Sequence, residues 1–559
     1  MEWVFLGVTL LATAVFGGFW FWQSMRRRQA MERRIRASFG AEPGNTHLQK
    51  DTARLWEIWK SEDPFTVDRQ TWSDLGMDEV YLRLDCCESA IGKEYLYAAL
   101  HRPAGPEEAQ RRSRLRRTME ENPETRFALQ IQFAQLGRYG RGFEKLLQDP
   151  KAVALPLARL YPVCAVLPWI SLPLLLVGPQ GGLLCLGAIC LNIALSVAAK
   201  PQLEGALQAL GYLTVSFQRA GRVAKLLQPC APEVAQEMNA ALRPLRGLTG
   251  ALSSVTCPPP GGDAGTFQEV FGMLTLWPLL FYGRAVKLLS RQQKQACQVC
   301  RLMGEVELAI AAASFCAGVP GWCTPTWLPD DAGRVECEEL YHPLLSQPVK
   351  NSAVFDRNTL FTGSNASGKS TFLKAVAVNA LLAGTFGICC AQRFCLSFVP
   401  VISSMAVRDD LLSGESYFIA ELRSLLRLVK QAEAGPCLCF VDEILKGTNT
   451  VERIAASAAV LERLCKTRAL CFVATHDGEL TRILSSQWDN LHFREQVTDD
   501  GVCFDYRLYA GPSATRNAIA LLRTMGFEEV TVDRAQDLAA EFDRTGTWPG
   551  GAPSENVVQ

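Results

Sequence analysis

The chain has 559 residues, 48% of them hydrophobic, and its 57 basic side chains balance 57 acidic ones. That length predicts about three or four folded units. The apolar content excludes a mostly disordered chain, and zero net charge excludes one that is basic throughout, though not a local basic patch. The 20 cysteines are scattered, many in apolar runs such as Cys437-Leu438-Cys439-Phe440. There the thiol acts as a small hydrophobe, which argues for a reducing compartment and against a disulfide framework. Cys297-Gln298-Val299-Cys300 is a single CxxC with no second pair, which argues against zinc.

At the N-terminus, Val4 to Trp22 carries no charge. At about 1.5 Å per residue it reaches about 28 Å as a helix, enough to cross the hydrocarbon core. Phe19-Trp20-Phe21-Trp22 forms an aromatic belt, and Arg26, Arg27, Arg28, Arg33, Arg34 and Arg36 follow. The arginines predict a cytoplasmic C-terminal side, and an uncleaved anchor rather than a signal peptide, whose basic residues come first. Leu160 to Ala199 is also uncharged and is broken by Gly178-Pro179-Gln180-Gly181-Gly182, with Arg159 and Lys200 at its ends. This predicts a membrane hairpin of two short spans, the first kinked by Pro162, Pro168 and Pro173. Thr266 to Tyr282 is apolar but contains Glu269 and Pro278, and is expected to be a core helix.

The domain expectation is a transmembrane anchor over 1–25 and a basic juxtamembrane linker over 26–70. An all-α region over 71–330 follows, interrupted by the hairpin at 160–199. An α/β domain occupies 331–545, and a Gly/Pro/Ser-rich flexible tail 546–559. Within the helical region, Arg111, Arg112, Arg114, Arg116 and Arg117 read as a solvated or lipid-facing surface. After Pro329, short β-rich runs alternate with helices, the pattern of a parallel α/β sheet.

The chemistry concentrates in that last region. Leu360-Phe361-Thr362 ends a strand, and Gly363-Ser364-Asn365-Ala366-Ser367-Gly368-Lys369-Ser370 matches GxxxxGK[ST] before a helix that opens at Thr371. Glycines let the amides curl toward phosphates, Lys369 reaches the β/γ oxygens and Ser370 Oγ holds Mg²⁺, so residues 363–371 are expected to bind a nucleotide triphosphate. The apolar strand Leu438–Val441 ends in Asp442-Glu443. Asp442 is suited to hold Mg²⁺ and Glu443 to polarise the attacking water. A further apolar strand, Leu470–Ala474, ends in Thr475-His476-Asp477, which offers His476 to the γ-phosphate or the water.

These residues resemble the ATP-binding-cassette and MutS superfamily. Ser413-Gly414-Glu415-Ser416-Tyr417-Phe418-Ile419-Ala420-Glu421 resembles the MutS G-x-S-x-F-x-x-E segment rather than the transporter LSGGQ. Asp442-Glu443-Ile444-Leu445-Lys446-Gly447-Thr448-Asn449-Thr450 resembles its DEI-x-x-GT-x-T loop. Tyr341-His342-Pro343 ahead of Asn351, and Tyr506-Arg507-Leu508-Tyr509-Ala510-Gly511-Pro512-Ser513, resemble its lead-in and closing strand. Residues 74 to 320, including Gly92-Lys93-Glu94-Tyr95-Leu96-Tyr97, resemble its helical core or lever more loosely.

The resemblance implies an α/β P-loop NTPase (ABC/MutS-like) domain at the C-terminus, preceded by an all-α lever with transmembrane helices. It implies an Mg²⁺-dependent ATPase that dimerises through its ATPase domains, with Ser416 of one subunit approaching the γ-phosphate bound by the other. Lys369, Glu443 and His476 complete the catalytic set. The family's mismatch-reading domain carries a Phe-x-Glu wedge; the expectation here is a membrane anchor in its place. Phe267-Gln268-Glu269 and Phe493-Arg494-Glu495 spell the tripeptide by chance. The expectation is therefore a multi-pass cell-membrane protein in contact with lipid. Its ATPase is cytoplasmic, and it acts as a nucleotide-driven conformational switch on an unidentified protein partner. The alternative is a tethered repair or recombination ATPase, whose DNA contacts would be neither sequence- nor mismatch-specific.

Overall fold

The computed structural model describes residues 2–548 except 45–46, 49–51, 60–62, 64, 141, 152–159, 177, 249–270, 330–332, 365, 406–416, 447, 499–500, 514–518, 520–521, 524 and 547. The chain divides into two compact units. One comprises Met1–Glu62 with Glu79–Pro320, and the other Asp63–Asp78 with Gly321–Gln559.

The first unit is helical. A continuous helix, Glu2–Ser38, contains the apolar N-terminal stretch and the arginines that follow it. The core forms where Ala90–His101 lies against Gln293–Gly318. Small residues permit the approach: a Cβ on Gly304 would stand 2.4 Å from the Tyr95 ring, and one on Gly92 would meet Glu307. Glu307 is buried and accepts the backbone N–H groups of Glu88 (2.8 Å) and Ser89 (3.0 Å), together with the Ser89 hydroxyl. It thus ties down the start of the Ala90–His101 helix from a distant part of the sequence. Burial raises its carboxyl pKa to about 7, against the pull of those donors.

The arginine run is a solvated face only in part: Arg114 and Arg117 are exposed, the other three are not. Arg116 is 1% exposed and pairs with Glu120, Arg112 is buried beside Glu108 and the Tyr95 hydroxyl, and Arg111 bridges Glu237 and Glu305. Local charge density missed the Arg111 contacts, because the acidic partners Glu237 and Glu305 come from helices far along the chain.

The expected hairpin is asymmetric. Its first arm is a short helix, Tyr161–Ser171, ending in a 3₁₀ turn, Leu172–Leu176, so it does not form a membrane-length helix. Pro168 and Pro173 remove amide donors there. The second arm does not stop at Ala199 but continues as one helix, Pro179–Leu227. Within it, Pro179–Pro201 is long and apolar enough to cross a membrane, with only 17% of its apolar window buried. Among the described residues it is the one helix that meets that length and composition. Trp169, Ile170, Leu183, Leu184, Leu186 and Val197 are all more than half exposed. The core helix expected over Thr266–Tyr282 is broken: Leu276 has φ +54° and a separate helix, Trp277–Arg291, starts with Pro278 in its first turn. The part before 271 lies outside the described residues.

The second unit is α/β. Its main sheet has the order β10-β9-β4-β8-β7-β6. The strands are β4 (Thr359–Thr362), β6 (Val401–Ser404), β7 (Leu438–Asp442), β8 (Leu470–Ala474), β9 (Asp489–Thr498) and β10 (Gly501–Ala510). All neighbours pair in parallel except β10, which is antiparallel to β9. β7 and β8 are unbroken apolar runs because both faces are covered. Phe355, Phe361, Phe440 and Phe472 stack through the layer, with Phe440 and Phe472 centroids 4.9 Å apart. A smaller sheet, β1-β5-β2-β3, comprises Thr326–Leu328, Val335–Leu340, Asn351–Phe355 and Arg393–Ser397.

The edge strand β6 is sealed by the segment 63–78. In its short helix Arg69–Asp74, Thr71 Oγ1 accepts the N–H of Ser403 (3.1 Å). Asp74 Oδ2 accepts the Ser403 hydroxyl (2.8 Å) and the Met405 N–H (2.9 Å). Side chains therefore satisfy an edge that would otherwise be open to a foreign strand. Of the expected tail, Gly546 and Trp548 are described and 549–559 lie outside the described residues.

Candidate nucleotide site

The site lies where three adjacent strands end. β4 runs into the phosphate loop, β7 ends at Asp442, and β8, which pairs with both, ends at Ala474 just before His476. Loop glycines are required by sterics: a Cβ on Gly363 would lie 2.5 Å from the Phe493 carbonyl oxygen, and Gly368 has φ +108°. The helix Lys369–Phe386 starts immediately after, directing its amide end at the loop.

Lys369 is 4% exposed and donates to the carbonyls of Gly363 (2.7 Å) and Ser364 (2.6 Å). Burial lowers its pKa, opposed by Glu443, Asp442 and Glu495. A desolvated cation of this kind gains from an incoming anion. Ser370 hydrogen-bonds Asp442, whose carboxyl pKa is raised by burial, and Asp442 Oδ1 is buried without a partner. A hydroxyl, a carboxylate and an orphaned oxygen at the phosphate loop fit the protein share of an Mg²⁺ site, which leaves other positions to water and phosphate.

Glu443 is held among cations. Lys446 Nζ lies 2.6 Å from its Oε2 and His476 Nδ1 3.8 Å from the same atom. His476 first, then Lys446, hold the Glu443 pKa down at about 2 against burial, and Glu443 raises that of His476 above its usual value. His476 is half-exposed, and its loop is clamped by Arg453, which grips Asp477 at 2.6 and 3.1 Å.

The structure thus brings Gly363, Ser364, Gly368, Lys369, Ser370, Asp442, Glu443 and His476 to one end of the sheet, with Ala366, Ser367 and Thr371 in the same loop and helix start. Asn365 and Ser416 lie outside the described residues. Sequence reasoning gave no role to Lys446, Arg453 or Glu495, the last of which accepts the Ser364 hydroxyl at 2.7 Å. Lys446 stood inside the DEI-x-x-GT-x-T stretch and Glu495 in a Phe-x-Glu tripeptide set aside as chance; Arg453 acts from a helix on a residue 24 positions away, where sequence spacing carries no signal. His342 of the lead-in is buried, with its pKa lowered to about 4. Asn351 takes a structural part, bonding the Tyr506 carbonyl (2.9 Å) and the Leu508 N–H (2.8 Å) where β10 bulges.

Among the described residues no cluster of His, Cys, Asp and Glu could hold a metal on its own, and every cysteine is free.

A phosphate loop on a parallel strand, with an acidic pair on the second neighbouring strand, defines the C-terminal unit as a P-loop nucleotide-binding domain. More narrowly, residues 359–543 match the family model of MutS domain V. The chain is 30% identical over 269 residues to the DNA mismatch repair protein MutS of Natronomonas pharaonis, covering 46% of this chain and 31% of that one. It is 34% identical over 199 residues to DNA mismatch repair protein MutS 2 of Halobacterium salinarum (35% and 23%). It is 27% identical over 254 residues to MutS of Thermus aquaticus (44% and 31%). The chain spans about a third or less of the length of these relatives.

Proposed function

We propose that this chain is an ATPase of the MutS type that works as a nucleotide-driven dimeric switch tethered to a membrane. One observation carries the ATPase reading: a buried lysine, a hydroxyl–carboxylate pair and a glutamate–histidine pair converge at the ends of β4, β7 and β8. In this reading the loop amides and Lys369 bind the β- and γ-phosphates. Glu443 stays ionised and orients a water in line with the γ-phosphorus, while His476 steadies that carboxylate and reaches the phosphate oxygens. Ser370 and Asp442 would hold Mg²⁺, which when bound supplies charge neutralisation to the phosphates. Two cassettes close around ATP, with Ser416 contributed across the seam, and open after hydrolysis. Lys369→Ala is expected to abolish turnover and nucleotide binding. Glu443→Gln is expected to keep binding while slowing turnover by about 10² or more. Purified protein whose ATP turnover is indifferent to both substitutions ends the reading.

The tether is supported by the bare apolar surface of Pro179–Pro201 and its neighbours and by the uncharged run from Val4 to Trp22. An exposed apolar patch of this size calls for lipid or a partner. Fractionation decides it: the intact chain should stay with membranes through alkaline carbonate and leave only with detergent.

A second reading, DNA binding, is favoured by the relatives' names as DNA mismatch repair proteins. ATP turnover stimulated by DNA, with the stimulation falling steeply as salt rises, would select it over a switch acting on a protein partner.

A further inference from the structure

The turn after Asp442 is unusual in its backbone. Glu443 has φ +52° and Leu445 φ +58°, left-handed conformations that a side chain with a Cβ disfavours. Such a turn persists only if its surroundings over-determine it. Three of its ties are local to the sheet: the Glu443 N–H donates to the Ala474 carbonyl (2.9 Å), and the Ile444 and Leu445 side chains are buried in the core beneath. The fourth comes from another element. Glu421, on the helix Tyr417–Ala434, is 5% exposed, and its Oε1 accepts the Lys446 N–H at 3.3 Å. The Leu445 N–H also faces this carboxylate, and Oε2 is buried without a partner. A buried carboxylate spent on the amides of a strained turn, rather than on a cation, has no evident use in holding the helix itself.

We infer that Glu421 is a positioning residue for Glu443. By accepting the amides of the turn it holds the left-handed backbone that gives the Glu443 carboxylate its direction. The inference rests on the reading of Glu443 as the residue that orients the attacking water. The contacts Glu421 makes are with the amides of the turn, so its loss should slow the chemical step and spare nucleotide binding. The amide oxygen of glutamine can still accept these N–H groups, so charge itself is dispensable.

The test uses the full-length protein. Turnover per bound nucleotide is measured alongside affinity for a fluorescent ATP analogue, in Glu421→Ala, Glu421→Gln, Glu443→Gln and the Glu421→Ala/Glu443→Gln double variant. Glu421→Ala should turn over about tenfold or more slowly, with affinity within about twofold of the parent. Glu421→Gln should recover most of that loss, and the double variant should be no slower than Glu443→Gln alone. Full turnover in Glu421→Ala, or losses that multiply in the double variant, overturns the inference. Hydrogen exchange at the Lys446 amide of the unaltered protein gives a readout independent of catalysis and of how well the variants fold. Slow exchange supports the contact, and exchange at the unprotected rate refutes it. A parent protein without Lys369-dependent turnover would sink the ATPase reading instead, while the exchange rate would still decide whether Glu421 holds the turn.

Discussion

The two units use buried charge in opposite ways. In the helical unit, buried carboxylates serve to join elements: Glu307 caps a helix start, Glu305 takes Arg111, and Asp85 takes Arg138. In the α/β unit they gather at one end of a sheet, where Lys369, Asp442 and Glu443 crowd together and Asp442 Oδ1 has no partner. Backbone strain follows the same division. Ala366, Glu443, Leu445 and Tyr506 are left-handed non-glycine residues in or near the phosphate site and Glu339 is another, at the irregularity in β2, whereas the helical unit has Leu276 at a helix break. Satisfied charge builds a scaffold, while unsatisfied charge and strain mark the place where a ligand completes the structure.

One pair in the helical unit breaks this pattern and gives the largest expected effect. Glu94 is fully buried, and burial followed by repulsion from the buried Glu144 raises its pKa to about 10. It therefore folds with its proton on. A carboxyl whose folded pKa lies above the unfolded value stabilises the fold fully below pH 4.5, and that stability is lost as pH climbs toward 10. The slope is on the order of 1 kcal/mol per pH unit. Glu94→Gln copies the protonated form, so denaturant melts between pH 6 and 9 should show the parent weakening and the variant holding. Parallel slopes would place Glu94 among the ordinary scaffold charges.

The next effect probes the edge of the other unit. Asp74→Ala strands the Ser403 hydroxyl and the Met405 N–H and should cost about 2 kcal/mol, seen as an earlier unfolding step of the α/β unit. Asp74→Asn keeps an acceptor and should cost less. Equal losses would mean that the carboxylate's charge, rather than its hydrogen bonds, seals the strand.

The smallest effect separates the two partners at the site. Because the Glu443 pKa is about 2, its protonation should impose no acidic limb on turnover above about pH 4. His476, raised by Glu443, should give an inflection above pH 6.5 that disappears in His476→Gln, with a loss of only a few-fold. A residual inflection at the same pH in that variant would assign it to another group.

Much of the nucleotide site was legible from residues alone, because its elements are local. A glycine-rich loop needs its own glycines, and a buried parallel strand needs an unbroken apolar run such as Leu470–Ala474. The helical unit was read less well. Arg112 and Arg116 looked solvated because their surroundings come from other helices, and Thr266–Tyr282 looked continuous because apolarity alone does not reveal a break like that at Leu276. The hairpin was drawn with equal arms because hydropathy is blind to how long each helix runs past its apolar stretch.

Sequence by itself determined the phosphate loop, the apolar strands that end at the site and the apolar stretches, since each depends on contacts between near neighbours along the chain. Only tertiary structure decided that residues 63–78 belong to the α/β unit, that Lys446 and His476 face Glu443 from two sides, and that Glu421 holds the turn between them. Those are meetings of residues tens to hundreds of positions apart, or of side-chain directions set by a left-handed backbone. Hydrophobic period and motif spacing encode neither, because both are settled by how the finished core closes.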